Sequence, residues 1–438
     1  MKIIQVIDEV SKRNISLVSV TKIINSYKFL SKESIVITTD NQEKVKKILV
    51  LKDLYKNFFF YSKISKILEK YKPDALHIHG MWRPIQFLFI LHCSFLNIPV
   101  LIQPHGMLLP AALKSRSFLS FIFKLICIYL FYKLFARITF IAVTKEEKEF
   151  INKYFSSSTV FIIKNPFKIP SVVLKKISNK FVYFGRYNRH KNLKEFIQAY
   201  MWANTSGKWT LDIYGIDDDP LYKAELINLV NTNNYNSKIR FMKPVFNIKK
   251  KFQIISNSSC NVLMSKSEVL SLSVLEAFSK GIPSLVNKDL HFPNWIKNNL
   301  IRSSLKISDL VKNINSVINK NYNLKIYSRN KLKKIFAKNY DFENEKSIYR
   351  KSLISAINEN KANNTLLNNF EVLAANIFNT VLIPFLIILS VVFNKISLAS
   401  ELGIIPGMLV LTTQLFSGNA RSILLYNNDK EYLYKIIN

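Results

Sequence analysis

The sequence predicts an α/β protein built from two doubly wound domains in series. Residues 1–165 and 181–360 each alternate short apolar runs with helical patterns, as βα units do. A polar, proline-broken segment, residues 166–180, separates them and predicts a linker. The 438 residues also leave room for a tail, residues 361–438, after two domains of ordinary size.

Composition indicates a folded chain with large cores. Hydrophobic residues make up 49% of the sequence and aromatic residues 13%, which excludes a disordered polybasic protein despite the net charge of +34. Lysine supplies most of that charge along the whole chain, so an anionic membrane is an expected partner. A nucleic-acid binder would rest on charge alone, because no helix-turn-helix, zinc-knuckle or RNP-like motif occurs. The separated cysteines Cys93, Cys127 and Cys260 predict reduced thiols.

The first domain begins with a strand and repeats the βα pattern. Near-continuous apolar runs predict a parallel sheet covered on both faces. The predicted strands are residues 3–7, 34–38, 58–61, 75–78, 100–103 and 138–143, and helical patterns cover residues 62–71 and 85–95. Residues 118–135 are mostly aromatic and aliphatic but contain Lys124 and Lys133. A helix lying on a membrane surface and a core helix are equally favoured, and these lysines make a membrane span the least favoured alternative.

The second domain repeats the same alternation. Predicted strands are residues 181–184, 209–214, 239–242, 260–264 and 283–286. Helices are predicted at residues 192–202, 221–230, 249–255 and 273–278, followed by polar helices between residues 307 and 358. Two such domains in series predict a cleft between them.

The tail has a different composition. Residues 372–393 carry no formal charge over 22 positions, which is long enough to cross a bilayer core of ~30 Å. A buried core helix is the alternative. Residues 398–416 form a second apolar run that Glu401 weakens, so one or two transmembrane helices are predicted.

Two glutamates, Glu268 and Glu276, flank a predicted strand end, a loop and a helix start. Ser273 and Glu276 have the spacing of a capping box, which would make Glu276 purely structural. The alternative is a ligand site, because free N–H groups at a helix start suit a diphosphate and carboxylates can accept hydrogen bonds from sugar hydroxyls.

The spacing of these glutamates, with Ala277, Gly281 and Pro283 after them, resembles the nucleotide-sugar site of retaining GT-B glycosyltransferases, group 1 (family 4). Other motifs agree in order over roughly residues 1–355. They are Phe184-Gly185-Arg186 through Lys191-Asn192, Trp209 through Gly215, His77-Ile78-His79-Gly80, and Pro104-His105-Gly106, of which the last two resemble the capsule and lipopolysaccharide branch. Gly418 to Leu425 faintly resembles a segment of polysaccharide-export membrane proteins.

The resemblance implies a role for each matching position. Arg186 and Lys191 would hold the donor diphosphate, and Glu276 would bond the ribose hydroxyls. Glu268 would hold the transferred sugar, with His105 across the cleft, so these two are the expected catalytic residues. The donor set also includes Leu270 and Ser271, which, with Val269, replace the glycines of the family.

The resemblance therefore implies a retaining, metal-independent glycosyltransferase of the hexosyltransferase type with the GT-B fold. Its co-substrate would be a nucleotide sugar, with no cofactor, no metal and no nucleic acid. The acceptor would be a cell-envelope polysaccharide or lipid-linked oligosaccharide, and the enzyme would sit on the cytoplasmic face of the membrane, anchored by its tail. Because the glycines after Glu268 are missing, the rival hypothesis is a catalytically degenerate GT-B protein acting as a membrane-tethered assembly partner.

Overall fold

The structure is a computed structural model. It describes residues 1–362 apart from 11–14, 42–47, 52–59, 114–123, 125–127, 129–137, 167–168, 173–177, 204–208 and 320–328. Residues 363–438 lie outside the described part, and so do both predicted membrane runs. Of residues 118–135, only Lys124 and Ile128 are described. Within the described residues, no helix is both long enough and apolar enough to cross a membrane.

The first domain contains a parallel sheet of seven described strands in the order β5-β3-β1-β6-β7-β8-β9. Its strands are β1 Ile3–Val6, β3 Ile35–Thr38, β5 Ile48–Val50, β6 Ala75–His79, β7 Val100–Gln103, β8 Ile138–Ala142 and β9 Val160–Ile162. A short pair, β2 Glu9–Val10 and β4 Asp40–Asn41, lies beside it. The described helices are α1 Ile15–Asn25, α2 Phe60–Tyr71, α3 Pro84–Phe95, α4 Pro110–Leu113 and α5 Lys145–Tyr154.

The second domain contains a parallel sheet of six described strands in the order β12-β11-β10-β13-β14-β15. Its strands are β10 Lys180–Arg186, β11 Thr210–Ile216, β12 Ile239–Met242, β13 Cys260–Leu263, β14 Ser284–Asn287 and β15 Ile301–Ser303. The helices are α6 Leu193–Trp202, α7 Pro220–Thr232, α8 Ile248–Ser256, α9 Leu272–Ser279, α10 Asn294–Lys297, α11 Ile307–Ile318, α12 Arg329–Asn339 and α13 Phe342–Ala362.

Each sheet is buried on both faces, which explains why its strands are nearly continuous apolar runs. Every residue of β1, β6, β7 and β8 is buried. The two predicted doubly wound domains are therefore present, and each has its own core. Both sheets direct the carboxyl ends of their strands to the edge where ligands bind in this class of fold.

One predicted strand is wrong. Residues 58–61 were expected to be extended because aromatic side chains favour strands, but helix α2 begins at Phe60. Ile64, Ile67 and Leu68 of this helix are buried in the first core, at the spacing of three and four that a helix requires. Tertiary packing of that face outweighs the local preference of the aromatic run.

The last described helix returns to the first domain. Helix α13 packs against β6, β7, β8 and β9. Tyr349 and Leu353 lie in one core with Ile3 and Leu101. Glu345 is buried and pairs with Lys164, whose Nζ lies 2.7 Å from Glu345 Oε1. This helix joins the two domains beneath the cleft.

Candidate active site

A cavity of about 440 Å³ lies between the two sheets. The first domain contributes residues after β6 and β7, and the second contributes the ends of β10 and β11 and the segment that follows β13. Among the sequence-predicted residues, those lining the cavity are His105, Arg186, Lys191, Glu268, Leu270 and Ser271. The fold therefore brings six of the seven predicted residues to one site, although they are spread over more than 160 positions of sequence.

Two cations lie on the second-domain wall. Arg186 ends β10 and is 44% exposed, and its Nη1 lies 3.4 Å from Asp218 Oδ2. Lys191 ends a short 3-10 turn, where its Nζ lies 2.5 Å from Glu268 Oε1. Both cations line the cavity, Arg186 at the end of β10 and Lys191 in the turn that follows it, which is an arrangement suited to an anionic ligand.

Glu268 is held from two sides. Lys191 donates to its Oε1, and Ser265 Oγ donates to the same oxygen at 2.7 Å. The carboxylate is 18% exposed, so it remains accessible from the cavity. An oriented carboxylate of this kind can accept hydrogen bonds from hydroxyl groups of a sugar.

The start of α9 borders the cavity. Leu270, Ser271, Leu272 and Ser273 all line it. Ser271 is the N-cap residue but makes no side-chain capping bond, and its Oγ lies 3.0 Å from Ser273 Oγ. First-turn N–H groups and the helix dipole favour an anion at this end.

The capping-box interpretation of Glu276 is wrong. Because the helix begins at Leu272, Ser273 is a helical residue and not the cap. The Glu276 carboxylate instead pairs with Lys251 of α8, whose Nζ lies 2.8 Å from Oε1 and 2.6 Å from Oε2. Lys251 lines the cavity whereas Glu276 does not, so the Lys251 ammonium lies between the Glu276 carboxylate and the cavity.

His105 forms the opposite wall. It lies in a left-handed turn, with φ of 53° at His105 and 82° at Gly106. A side chain at Gly106 would collide with Val269, so the turn directly contacts the loop that follows Glu268. Burial lowers the pKa of His105 to about 4, and the imidazole is therefore neutral near pH 7.

A buried carboxylate fixes this turn. Glu147 of α5 accepts hydrogen bonds from Gly106 N at 2.5 Å and from Val143 N at 2.7 Å. Burial raises its pKa to about 7, against the lowering effect of these two bonds. Thr144 caps the helix by accepting from Glu147 N at 3.1 Å. The turn and the end of β8 are thereby fastened to each other.

The base of the cleft contains Asn165, which follows β9. Its Oδ1 accepts from Gln103 Nε2 at 2.9 Å, and its carbonyl oxygen accepts from Tyr340 Oη at 3.0 Å. Asn165 also lines the cavity. Among the described residues, no group of three or more His, Cys, Asp or Glu side chains is arranged to hold a metal ion.

Lys251 and Glu147 are not among the residues predicted from the sequence. Lys251 is one of three consecutive lysines, and nothing in the sequence distinguishes it from its exposed neighbours. Glu147 did carry a signal, because Thr144 and Glu147 have capping-box spacing at the end of a predicted strand. Phe184 and Tyr214 belong to two of the motifs quoted above, but no role was predicted for their side chains; their rings stack on the cavity wall with centroids 4.9 Å apart.

Comparisons with known proteins agree with this architecture. Residues 30–168 match the Glycosyltransferase Family 4 domain, and residues 165–338 match the domain described as Glycosyl transferases group 1. The two matches adjoin at the base of the cleft. Comparison with curated proteins gives no match.

Several solved structures share the fold. Anabaena HepE in complex with UDP and glucose has 14% identity and a TM-score of 0.62, covering 81% of this chain and 100% of that chain. The lipopolysaccharide outer core galactosyltransferase WaaB, in its apo form, has 18% identity and a TM-score of 0.56, covering 81% and 99%. WaaG, a glycosyltransferase involved in lipopolysaccharide biosynthesis, has 12% identity and a TM-score of 0.57, covering 80% and 98%. These likenesses confirm the predicted GT-B fold.

Proposed function

We propose that this chain, a glycosyltransferase of the GT-B type, moves a sugar with retention from a nucleotide-sugar donor to a cell-envelope acceptor. The acceptor is a polysaccharide or a lipid-linked oligosaccharide. One observation carries the proposal: His105 of the first domain faces a cavity whose other wall carries Arg186, Lys191 and Glu268. The structures of HepE in complex with UDP and glucose and in complex with UDP-glucose support a nucleotide sugar as the donor.

Charged side chains and backbone N–H groups bind the donor. Arg186 and Lys191 take the diphosphate, together with the N–H groups at the start of α9, while Glu276 accepts from the ribose hydroxyls. Glu268 accepts from hydroxyls of the transferred sugar. Lys191 and Glu268 are paired in this structure, so the ligand shares or replaces that contact.

The reaction is then a displacement at the anomeric carbon. The acceptor hydroxyl oxygen bonds to this carbon on the face from which the diphosphate departs, and the hydroxyl proton passes to the departing diphosphate oxygen. The bond to the diphosphate breaks, and Arg186 and Lys191 stabilise the charge that develops there. These cations supply the charge that a metal ion supplies elsewhere, so the enzyme needs neither a metal nor a cofactor.

A panel of sugar nucleotides tests this function. Purified full-length chain is mixed with each one and with extracted membrane lipids, and release of the nucleoside diphosphate is measured. We expect release with one donor, dependent on lipid, and donor binding by calorimetry. Absence of both release and binding with every donor would contradict the proposal.

The second candidate is a degenerate GT-B protein that acts as a membrane-tethered assembly partner. It is favoured by Val269, whose side chain packs against Gly106 where the family resemblance calls for a glycine. The Val269 side chain would leave less room for the backbone to approach the donor. Donor binding separates the candidates, because the degenerate protein binds no donor.

We also propose that the catalytic domains face the cytoplasm, attached through residues 372–393. Basic residues precede that run, and sugar nucleotides are cytoplasmic substrates. Labelling of Ser355→Cys and Asn428→Cys variants in intact cells with an impermeant thiol reagent tests this. No labelling at position 355 is expected, and labelling there from outside would overturn the orientation. Labelling at position 428 alone would indicate one span instead of a hairpin.

A further inference from the structure

Three polar side chains of the first domain form a continuous chain of hydrogen bonds that ends at the cavity. Gln5 lies in β1, His79 ends the neighbouring strand β6, and His105 follows the next strand, β7. Gln5 Oε1 lies 3.0 Å from His79 Nε2, and His79 Nδ1 lies 3.0 Å from His105 Nε2. Gln5 and His79 are buried, so water does not compete for the contact between them.

The Gln5 amide has only one orientation that satisfies its neighbours. Its Nε2 donates to the Thr21 carbonyl oxygen at 3.1 Å and to Asn25 Oδ1 at 2.9 Å. A backbone carbonyl can only accept, so the NH₂ group must point towards Thr21 and Oε1 must point towards His79. Because Oε1 also only accepts, His79 carries its proton on Nε2.

The tautomer of His79 determines the tautomer of His105. Burial, and then the neighbouring His77 and His105, hold the pKa of His79 well below its ordinary value. The neutral His79 ring therefore presents Nδ1 as an acceptor, and the 3.0 Å contact requires a proton on His105 Nε2. His105 is neutral as well, so its Nδ1 is left as an acceptor.

We propose that Gln5 and His79 are positioning residues that fix the tautomer of His105, so that His105 Nδ1 accepts a hydrogen bond from a hydroxyl of the transferred sugar. The sugar contact rests on the proposed glycosyltransferase function, whereas the tautomer does not. Two further bonds hold the chain of residues in place. Gln86 Nε2 donates to the His79 carbonyl oxygen at 2.7 Å, and Gly106 N donates to Glu147.

Nitrogen NMR of the full-length chain labelled with ¹⁵N-histidine reads the tautomers directly, without donor or acceptor. His92 is an internal reference of the opposite kind, because its Nδ1 lies 2.7 Å from the Leu88 carbonyl oxygen and must carry the proton. Signals are assigned from His79→Gln, His92→Gln and His105→Asn variants. We expect protons on Nε2 of His79 and His105 and on Nδ1 of His92. A proton on His105 Nδ1 would overturn the proposal.

A matched pair of variants tests the consequence. His79→Asn keeps an amide oxygen near the position of Nδ1, where it can still accept from His105. His79→Gln places its amide near the position of Nε2 and loses that contact. We expect kcat to fall about tenfold in His79→Gln and at most about threefold in His79→Asn, with little change in KM. Equal losses in both would contradict a positioning role.

The Gln5→Met variant tests the same hydrogen bonds without changing either histidine. The methionine side chain has nearly the same shape as that of glutamine but cannot accept a hydrogen bond from His79, so we expect the His105 signals to show a mixture of tautomers. An unchanged His105 tautomer in this variant, with thermal melting showing a folded protein, would refute the relay. If the wild-type chain transfers no sugar but the NMR result holds, the proposed function fails while the relay stands.

Discussion

A Glu276→Gln variant distinguishes a role of Glu276 in donor binding from a role in folding. The carboxylate is buried and bound through both oxygens by Lys251, at 2.8 and 2.6 Å. Glutamine has the same shape and keeps one oxygen that can accept from the Lys251 ammonium. The change therefore removes a charge without opening a cavity.

The expected loss of affinity follows from the contacts. Hydrogen bonds to a charged group contribute about 1.5–3 kcal/mol, so weaker bonds to the ribose hydroxyls raise Kd by roughly 10–150-fold. The fold should lose less, because the N-cap of α9 is Ser271 and Glu276 has no capping role. Lys251 is 24% exposed and can regain water when the charge is removed.

Calorimetry with the nucleoside diphosphate that binds the wild type most tightly measures this Kd, and thermal melting measures the fold. Glu225→Gln is the matched control, since Glu225 is also a helical glutamate paired with lysine, but it lies away from the cavity. Its Kd should equal that of the wild type. A Glu276→Gln variant with wild-type affinity and a melting temperature lowered by several degrees would refute the ribose role.

Three further outcomes are expected. Arg186→Ala and Lys191→Ala should each lower kcat about a hundredfold; thermal melting of Arg186→Ala should change little because its ion pair is half-exposed and contributes about 0–1 kcal/mol, and equal losses of turnover and stability in Arg186→Ala would contradict a donor role. Burial raises the pKa of Glu147 to about 7, so the stability that it contributes is complete below its ordinary pKa of 4.5 and is lost as pH rises to about 7. Urea unfolding at about pH 5 and about pH 8 should show a smaller drop for Glu147→Gln than for the wild type, and an equal drop would refute this assignment. Excess EDTA should leave nucleotide release within about twofold of the untreated enzyme, whereas complete loss, restored by a divalent cation, would show that the reaction needs a metal.

The repeating βα pattern was readable because parallel strands buried on both faces must be apolar along their whole length. Strand β12 was predicted with its observed bounds, Ile239–Met242, and most other strands within two residues. Strands β5 and β9, at the two edges of the first sheet, were missed, since only one of their six residues is buried and their apolar runs are short. The return of α13 to the first sheet was also not foreseen, because a polar helix does not reveal which domain its narrow apolar stripe contacts.

Site residues could be predicted from the sequence where a motif marks the end of a strand. Contacts that depend on packing between distant segments could not. Arg186 is the last residue of β10, and His105 and Glu268 lie two and five residues after the ends of β7 and β13, so the carboxyl-end rule brings them to one cleft. Lys251 comes from the middle of a helix, and only the structure shows that it meets Glu276. The hydrogen bond that His79 donates to Gln5 joins residues 74 positions apart, and no local pattern encodes it.

A crystal structure of the chain with a bound nucleoside diphosphate tests the site most directly. We expect the diphosphate between Arg186, Lys191 and the start of α9, with the ribose hydroxyls within hydrogen-bond distance of Glu276 and the Lys251 ammonium displaced from its present contact. A nucleotide bound elsewhere, or bound in the cavity with the Lys251–Glu276 pair intact and its ribose distant from Glu276, would contradict it.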